Sequence, residues 1–227
     1  MDWLALIVTL KMALGTCIIL LPVALVLGRY LARYEFFGKW LIEVIIILPL
    51  ILPPTVMGYY LLVVFGSNGW VGLLFEQWFG ISLVFHMEGL ILASVLFNLP
   101  FAIYPIQRAF LAIEPSILEA AALCGLSQFR TFVKIELPLI WPGLVSALIL
   151  VFTHTLGEFG IILMVGGSIP GETRTLSISI YDKVQSFDFA AAHTMSLFLF
   201  LFSTIVIVCL GILTKKQYGT KDGPHLV

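Results

Sequence analysis

The sequence predicts an all-α, polytopic membrane protein with about five transmembrane helices, on three observations. Its 227 residues are 60% hydrophobic and only 11% charged, whereas an ordinary soluble domain carries about 25% charged residues. Five apolar stretches each approach or exceed the roughly 20 residues that cross the hydrocarbon core of a bilayer. The connectors between them are too short to lay a polar cover over a soluble core of that size.

The first stretch, Leu4 to Leu27, is longer than the roughly 7 to 15 residues of a secretory h-region and has no small-residue cleavage site, so it reads as a retained span. Lys11 lies within it, where a long side chain snorkels to the rim. The second, Trp40 to Phe65, contains Pro49, Pro53 and Pro54 in the run LPLILPPTVMGYY. Each proline removes a helical donor and crowds the carbonyl four residues back, so the helix must kink or break. That break is either a kink supported by neighbouring helices or a pathway-lining interruption whose freed carbonyls face water. The third stretch, Gly89 to Gln107, holds Asn98, which is expected to bond across helices. The fourth, Leu139 to Val165, is unusually polar, with Ser146, Thr153, His154, Thr155 and Glu158. The fifth runs from Ala190 to Leu213. Cys17, Cys124 and Cys209 show no paired or metal-like spacing and read as small apolar residues.

Basic residues in short loops set membrane orientation. Arg29, Arg33 and Lys39 follow the first stretch; Arg108, Arg130 and Lys134 follow the third; Lys215, Lys216 and Lys221 sit in the tail. Between Lys39 and Arg108 there is no Lys or Arg, so Gly66 to Glu88 belongs outside. The connector from Gly166 to Phe189 balances Arg174 and Lys183 against Glu172, Asp182 and Asp188. Five spans with the N-terminus outside and the C-terminus cytoplasmic satisfy every loop. Glu43, four residues past Lys39, is read as its local ion-pair partner. The net charge of −1 points to no nucleic-acid partner.

The inner connector Ile113 to Pro138 reads IEPSILEAAALCGLSQFRTFVKIELP. Pro115 suits the first position of a helix. Gly125 should end it in the left-handed conformation. Ser127 can cap a second short helix that puts Arg130 and Lys134 on one face at four-residue spacing. On the residues alone, this bent pair is either an interfacial connector or a low-profile helix that seats in a groove on another protein.

The same segment resembles the EAA loop of ABC importer permeases: Glu119, Ala120 and Ala121, then Gly125, then Ile135, Glu136, Leu137 and Pro138 all stand at the family's spacing. Leu126 departs from the alanine often found there. Three further runs resemble the molybdate or tungstate branch: LPLILPPTVMGYYLL at Leu48 to Leu62, LGEFG at Leu156 to Gly160, and IPGETRTLSISIY at Ile169 to Tyr181. The resemblance implies a type I ABC importer fold in its five-helix form, with residues 1–227 as a single permease domain in a prokaryotic inner membrane. It implies a homodimer, two cytoplasmic ABC ATPases that bind the ATP and Mg, and an extracytoplasmic oxyanion-binding protein. It makes Glu119, Ala120, Ala121, Gly125, Ile135, Leu137 and Pro138 the ATPase-coupling residues.

No stretch matches the phosphate-cradling pattern G-x-x-x-x-G-K-[ST], nucleophilic triads and metal-ligand spacings are missing, and the chain reads as no enzyme in itself. His154 and Glu158, four apart, form either a proton relay, as in a secondary carrier, or a packed pair, which is the favoured reading. The resemblance places Glu158 at a gate where two copies of the helix meet, with Gly157 and Gly160 permitting close approach. Apart from Lys11 the spans hold no Lys or Arg. A translocated anion would therefore meet weak contacts, and the path or gate residues are Pro53, Pro54, Thr55, Thr153, Thr155, Gly157, Glu158 and Gly160. The alternatives are a permease for sulfate or another small anion, and a proton-coupled carrier. The latter is disfavoured because no internal repeat is found.

Overall fold

A computed structural model describes residues 1–217, so Lys221 lies outside the described residues. Every regular element described is helical: α1 Trp3–Arg33, α2 Lys39–Ile51, α3 Pro54–Phe65, α4 Trp70–Phe79, α5 Met87–Leu111, α6 Pro115–Leu123, α7 Gln128–Thr131, a π-turn Phe132–Glu136, α8 Leu137–Leu139, α9 Trp141–Gly157, α10 Gly160–Gly166, α11 Leu176–Gln185 and α12 Phe189–Gln217. Helices dominate because a bilayer offers no partner to a free backbone N–H or C=O. Three of them, α1, α5 and Phe189–Cys209 of α12, are long and apolar enough to cross a membrane singly. Two bent pairs complete the five spans expected: α2 with α3, at 113°, and Gln128–Leu139 with α9, at 65°.

The first bend follows from proline chemistry. A residue preceding proline is pushed to extended backbone, and Leu52 and Pro53 have ψ of 140° and 135°. Pro54 then sits at the first turn of α3, where its missing N–H costs nothing. Pro49 is carried inside α2, so the break falls at the Pro53–Pro54 pair alone.

The central helix is α5, packed against α1, α2, α9 and α10. Leu20 and Ala24 of α1, Ile103 and Ile106 of α5, and Ala147 and Val151 of α9 form one buried apolar cluster. A second joins Leu61 and Phe65 of α3 to Leu90 of α5 and Ile161, Ile162 and Val165 of α10. Glycines set the closest approaches. A Cβ on Gly143 would stand 2.4 Å from Ala109 Cβ and 2.9 Å from the Pro105 carbonyl oxygen.

Several expectations are corrected. The fourth span is not continuous from Leu139 to Val165, because α9 stops at Gly157 and α10 starts afresh at Gly160. The first helix runs on through Arg33, so Arg29 and Arg33 belong to its last turns rather than to a connector. Both connectors expected to lie outside contain a helix, α4 and α11. In the second of these, Arg174 lies 3.7 Å from Asp182, and Lys183 donates to Asp188 Oδ2 at 3.1 Å. That bond holds the Asp188 carboxyl below its ordinary range. Glu43 does not pair with Lys39: Lys39 Nζ donates to Glu35 at 2.6 Å, and Glu43 accepts from Gln107 Nε2 at 3.4 Å. Lys39 opens α2, and Glu35 in the preceding turn is the nearer partner.

Gly143→Val should lower stability by about 1–3 kcal/mol through overpacking of α5 on α9. Gly211, with nothing within 4 Å of an added Cβ, supplies the control. Thermal unfolding in detergent should fall for Gly143→Val and hold or rise for Gly211→Ala.

Candidate functional sites

Two places gather the residues singled out by the sequence. The first is the Ile113–Pro138 connector. Pro115 opens α6, and the helix closes on Gly125 at φ +73°. Gly125 N–H donates to Ala122 O at 2.9 Å and Leu126 N–H to Ala121 O at 3.1 Å. These two bonds make a Schellman motif, which satisfies the last carbonyls of α6 and turns the chain back. Glu119 and Ala120 face outward, whereas Ala121 is buried. Leu123, which the sequence reading passed over, is 89% exposed at the tip. Its position in the last turn before Gly125 was the available signal.

Ser127 Oγ accepts from the Arg130 N–H and caps α7 as expected. Arg130 and Lys134 are both exposed, and the chain enters a π-turn after Thr131, where Leu137 N–H reaches back five residues to Phe132 O. The turn ends on Glu136, 2% exposed. Arg29 Nε donates to its Oε2 at 2.6 Å and Arg33 Nη2 to its Oε1 at 3.3 Å. Ile135 and Leu137 flank it half-buried, and Pro138 is exposed one residue on. The connector is thereby tied to the end of α1.

The second place is the break between α9 and α10. A cavity of about 570 Å³ brings together Pro54, Thr55, Thr153, Gly157, Glu158 and Gly160 of the expected path residues. Pro53 does not line it, and Thr155 is turned away, 1% exposed, against α5. The first turns of α3 and α10 both border the cavity, and a Cβ on Gly160 would come within 3.1 Å of Pro54 Cβ. Gly160 therefore serves close packing within one protomer. Gly157 has nothing within 4 Å of an added Cβ.

Glu158 occupies the break itself, its backbone extended at ψ 131°. Its Oε1 accepts from Ser94 Oγ at 3.0 Å and from Asn98 Nδ2. The same Asn98 nitrogen lies 3.2 Å from Thr155 Oγ1 and 2.9 Å from the Ser94 carbonyl. With Nδ2 committed to Glu158, Oδ1 faces His154 Nδ1 at 3.0 Å, so that ring nitrogen carries the hydrogen. His154 and Glu158 themselves are 3.8 Å apart, too far for a hydrogen bond. Their expected direct bond is replaced by a bridge through Asn98. Ser94 was missed, since a lone serine in an apolar run carries no periodic signal. The imidazole is wedged against Phe101 and Phe97, with ring centroids 4.3 and 5.2 Å away. Thr153 donates its hydroxyl to the Ile149 carbonyl at 2.6 Å, whereas Thr55 has no hydrogen-bond partner within the protein among the described residues. Among those residues no cluster of three His, Cys, Asp or Glu could hold a metal.

Residues 24–217 match the family model described as binding-protein-dependent transport system inner membrane component. The chain is 42% identical over 210 residues to the molybdenum transport system permease protein ModB of Azotobacter vinelandii, covering 92% of each. It is 35% identical over 185 residues to the protein of the same name in Escherichia coli K12, covering 82% of this chain and 81% of that one. The protein named "Probable sulfate transport system permease protein cysT" in Chlorella vulgaris is 33% identical over 206 residues, with 89% and 77% covered. Among solved structures, a bacterial ABC transporter involved in import of the acidic polysaccharide alginate superposes with a TM-score of 0.78 at 16% identity, over 94% of this chain and 78% of that one. The inward-facing methionine ABC transporter MetNI gives 0.68 at 18% identity, over 95% and 93%. An all-helical chain with three to five candidate spans, a bent connector with an exposed tip, and sequence agreement over most of the length have one common account: the chain belongs to the binding-protein-dependent transport system inner membrane component family.

Proposed function

We propose that this chain is the membrane-spanning permease subunit of an ATP-binding-cassette importer that moves molybdate inward, with hydrolysis carried out by a separate ATPase. The observation that carries the reading is agreement over 92% of both chains with a relative named as a molybdenum transport permease. The sulfate permease of Chlorella vulgaris favours sulfate as the second reading. The whole chain acts as one permease domain, which works as a homodimer with two ATPase subunits and an extracytoplasmic binding protein. Only 11% of the apolar window of α12 is buried inside the chain, which suits a span that faces lipid.

Basic residues place the Ile113–Pro138 connector, and the end of α1 beside it, in the cytoplasm, with α4 and α11 outside. On that side Glu119, Ala120 and Leu123 present a compact tip that enters a cleft of the ATPase. Ala121, Ile135 and Leu137 hold the tip against the protein, and Pro138 leads back towards α9. Tip motion reaches the membrane through the π-turn and α9, whose far end carries the break at Glu158.

The cavity at that break is the path. Its lining holds no Lys or Arg, so an oxyanion passes without a strong trap and the binding protein supplies affinity. The attraction available is the positive end of α3, with the free hydroxyl of Thr55 at its start, as half-helices offer anions in other transporters. Thr153 and Thr155 contribute less, because both hydroxyls already serve helix packing. Pro53 sets the bend that brings this helix end to the cavity. Asn98 bridges Glu158 and His154 into one packed unit, which supports the packed-pair reading over a proton relay.

Liposome uptake with the cognate ATPase and binding protein tests the reading: molybdate should accumulate with ATP, and excess sulfate should compete poorly. Sulfate accumulation at an equal rate would move the assignment to the second reading. His154→Gln should keep ATP-dependent uptake without gaining a proton requirement; transport driven by a pH gradient without nucleotide would defeat the ATP-coupled reading. Gly125→Val strains a left-handed position by about 1–3 kcal/mol and misaims the tip, and Glu119→Arg reverses its charge. Both should leave the permease inserted while weakening ATPase co-purification or lowering uptake per ATP. Wild-type values for both would remove the connector from the coupling role.

A further inference from the structure

A cavity of about 470 Å³ lies between the end of α1 and the start of α7. We propose that it binds the headgroup of an anionic phospholipid of the inner leaflet, with one acyl chain lying along the outward face of α1. The orientation given above is the premise on which this rests.

Charge comes first. Glu136 is shared by Arg29 and Arg33, so both carboxyl oxygens are occupied and one positive charge is left over. Arg29 uses only its Nε–H for Glu136, and its two terminal nitrogens have no hydrogen-bond partner among the described residues. The guanidinium stands over the Phe132 ring, 5.3 Å from the centroid, which fixes its plane at the cavity wall. Its free fork suits the paired oxygens of a phosphate. Tyr30, Tyr34 and Gln128, with two hydroxyls and an amide among their side chains, line the same space. Those side-chain groups too have no protein hydrogen bond among the described residues, so the cavity offers several donors and no free carboxylate.

The apolar half of the ligand follows from helix geometry. Ile19, Val23, Val26 and Tyr30 are all exposed and recur at four, three and four residues, so they form one stripe on α1 that ends at the cavity. At 1.5 Å per residue the stripe from Ile19 to Tyr30 is about 16 Å long. One leaflet contributes about half of a 30 Å hydrocarbon core, so the stripe matches the depth of a single acyl chain. Basic pockets beside cytoplasmic helix ends favour anionic headgroups for the same electrostatic reason. A choline headgroup would set a second cation beside Arg29.

A bound lipid would brace α7 and the π-turn against α1 and so steady the connector on the ATPase side. The test uses the intact permease–ATPase complex, purified and exposed to phosphatidylglycerol or phosphatidylcholine, with retained lipid counted by native mass spectrometry. Phosphatidylglycerol should be retained about five-fold over phosphatidylcholine. The triple variant Tyr30→Phe, Tyr34→Phe, Gln128→Leu, which keeps the Arg29–Glu136 pair, should reduce that preference severalfold. Arg29→Lys, which keeps charge and loses the fork, should do the same. Glycerol 3-phosphate, a headgroup without chains, should not displace the lipid. Equal retention of the two lipids, an unchanged triple variant, or displacement by glycerol 3-phosphate would each overturn the proposal, as would crosslinking of Tyr30→Cys to a second protein chain. ATPase co-purification and uptake are read on the same samples. Loss of lipid preference with both intact would count against the lipid site alone, whereas loss of both in the wild type would count against the importer reading.

Discussion

A carboxyl group inside a lipid-embedded helix bundle must find hydrogen-bond donors from protein, because the surroundings have none to give. Glu158 finds them for Oε1 on α5, in Ser94 and Asn98, while Oε2 is buried with no hydrogen-bond partner among the described residues. Much of the architecture follows from that demand. To reach α5 the backbone at Glu158 leaves the helical conformation, and this ends α9 and allows α10 to restart in a new direction. The restart brings Gly160 against Pro54, where the proline pair has already forced α2 and α3 apart. Two interruptions from distant parts of the chain thus border one cavity in the middle of an otherwise apolar protein.

The far end of the bundle solves the same problem with charge. Glu136 is buried, and it is acceptable there because two guanidinium groups from α1 cover both its oxygens. Removing one partner of such a group leaves an uncompensated charge, typically a loss of 3–5 kcal/mol. The pairing joins residues more than a hundred positions apart, so it ties the first helix to the connector. Between this clamp and the Asn98 cluster lies α9, fastened at both ends to other helices.

The elements most legible in the sequence were those governed by local rules. The Pro53–Pro54 break, the Gly125 turn and the Ser127 cap each depend on a few adjacent residues, and each appears where expected. Asn98 was legible as a cross-helix donor because an amide in an apolar run demands a partner. Its particular partners were not, since they are set by the packing of α5 on α9. The end of α9 was misread for the same reason: a glycine and a glutamate in a hydrophobic run do not stop a helix by propensity, and the pull comes from α5. Glu43 and Lys39 were paired by sequence spacing, yet Gln107 and Glu35 lay closer in space. The helices α4 and α11 were lost among connectors, being shorter than a span.

The π-turn at Phe132–Glu136 behaves as an angular offset built into a shaft. An α-helix advances about 100° per residue, so the one extra residue in the turn rotates everything before it by about that amount relative to everything after it. The orientation of α7 about its own axis is therefore offset from that of α8 by this one turn, alongside the bonds that tie Glu136 to α1. Insertions and deletions within Phe132–Glu136 would act as changes of phase, leaving the hydrophobic content of the region intact while pointing the tip of the connector in a different direction.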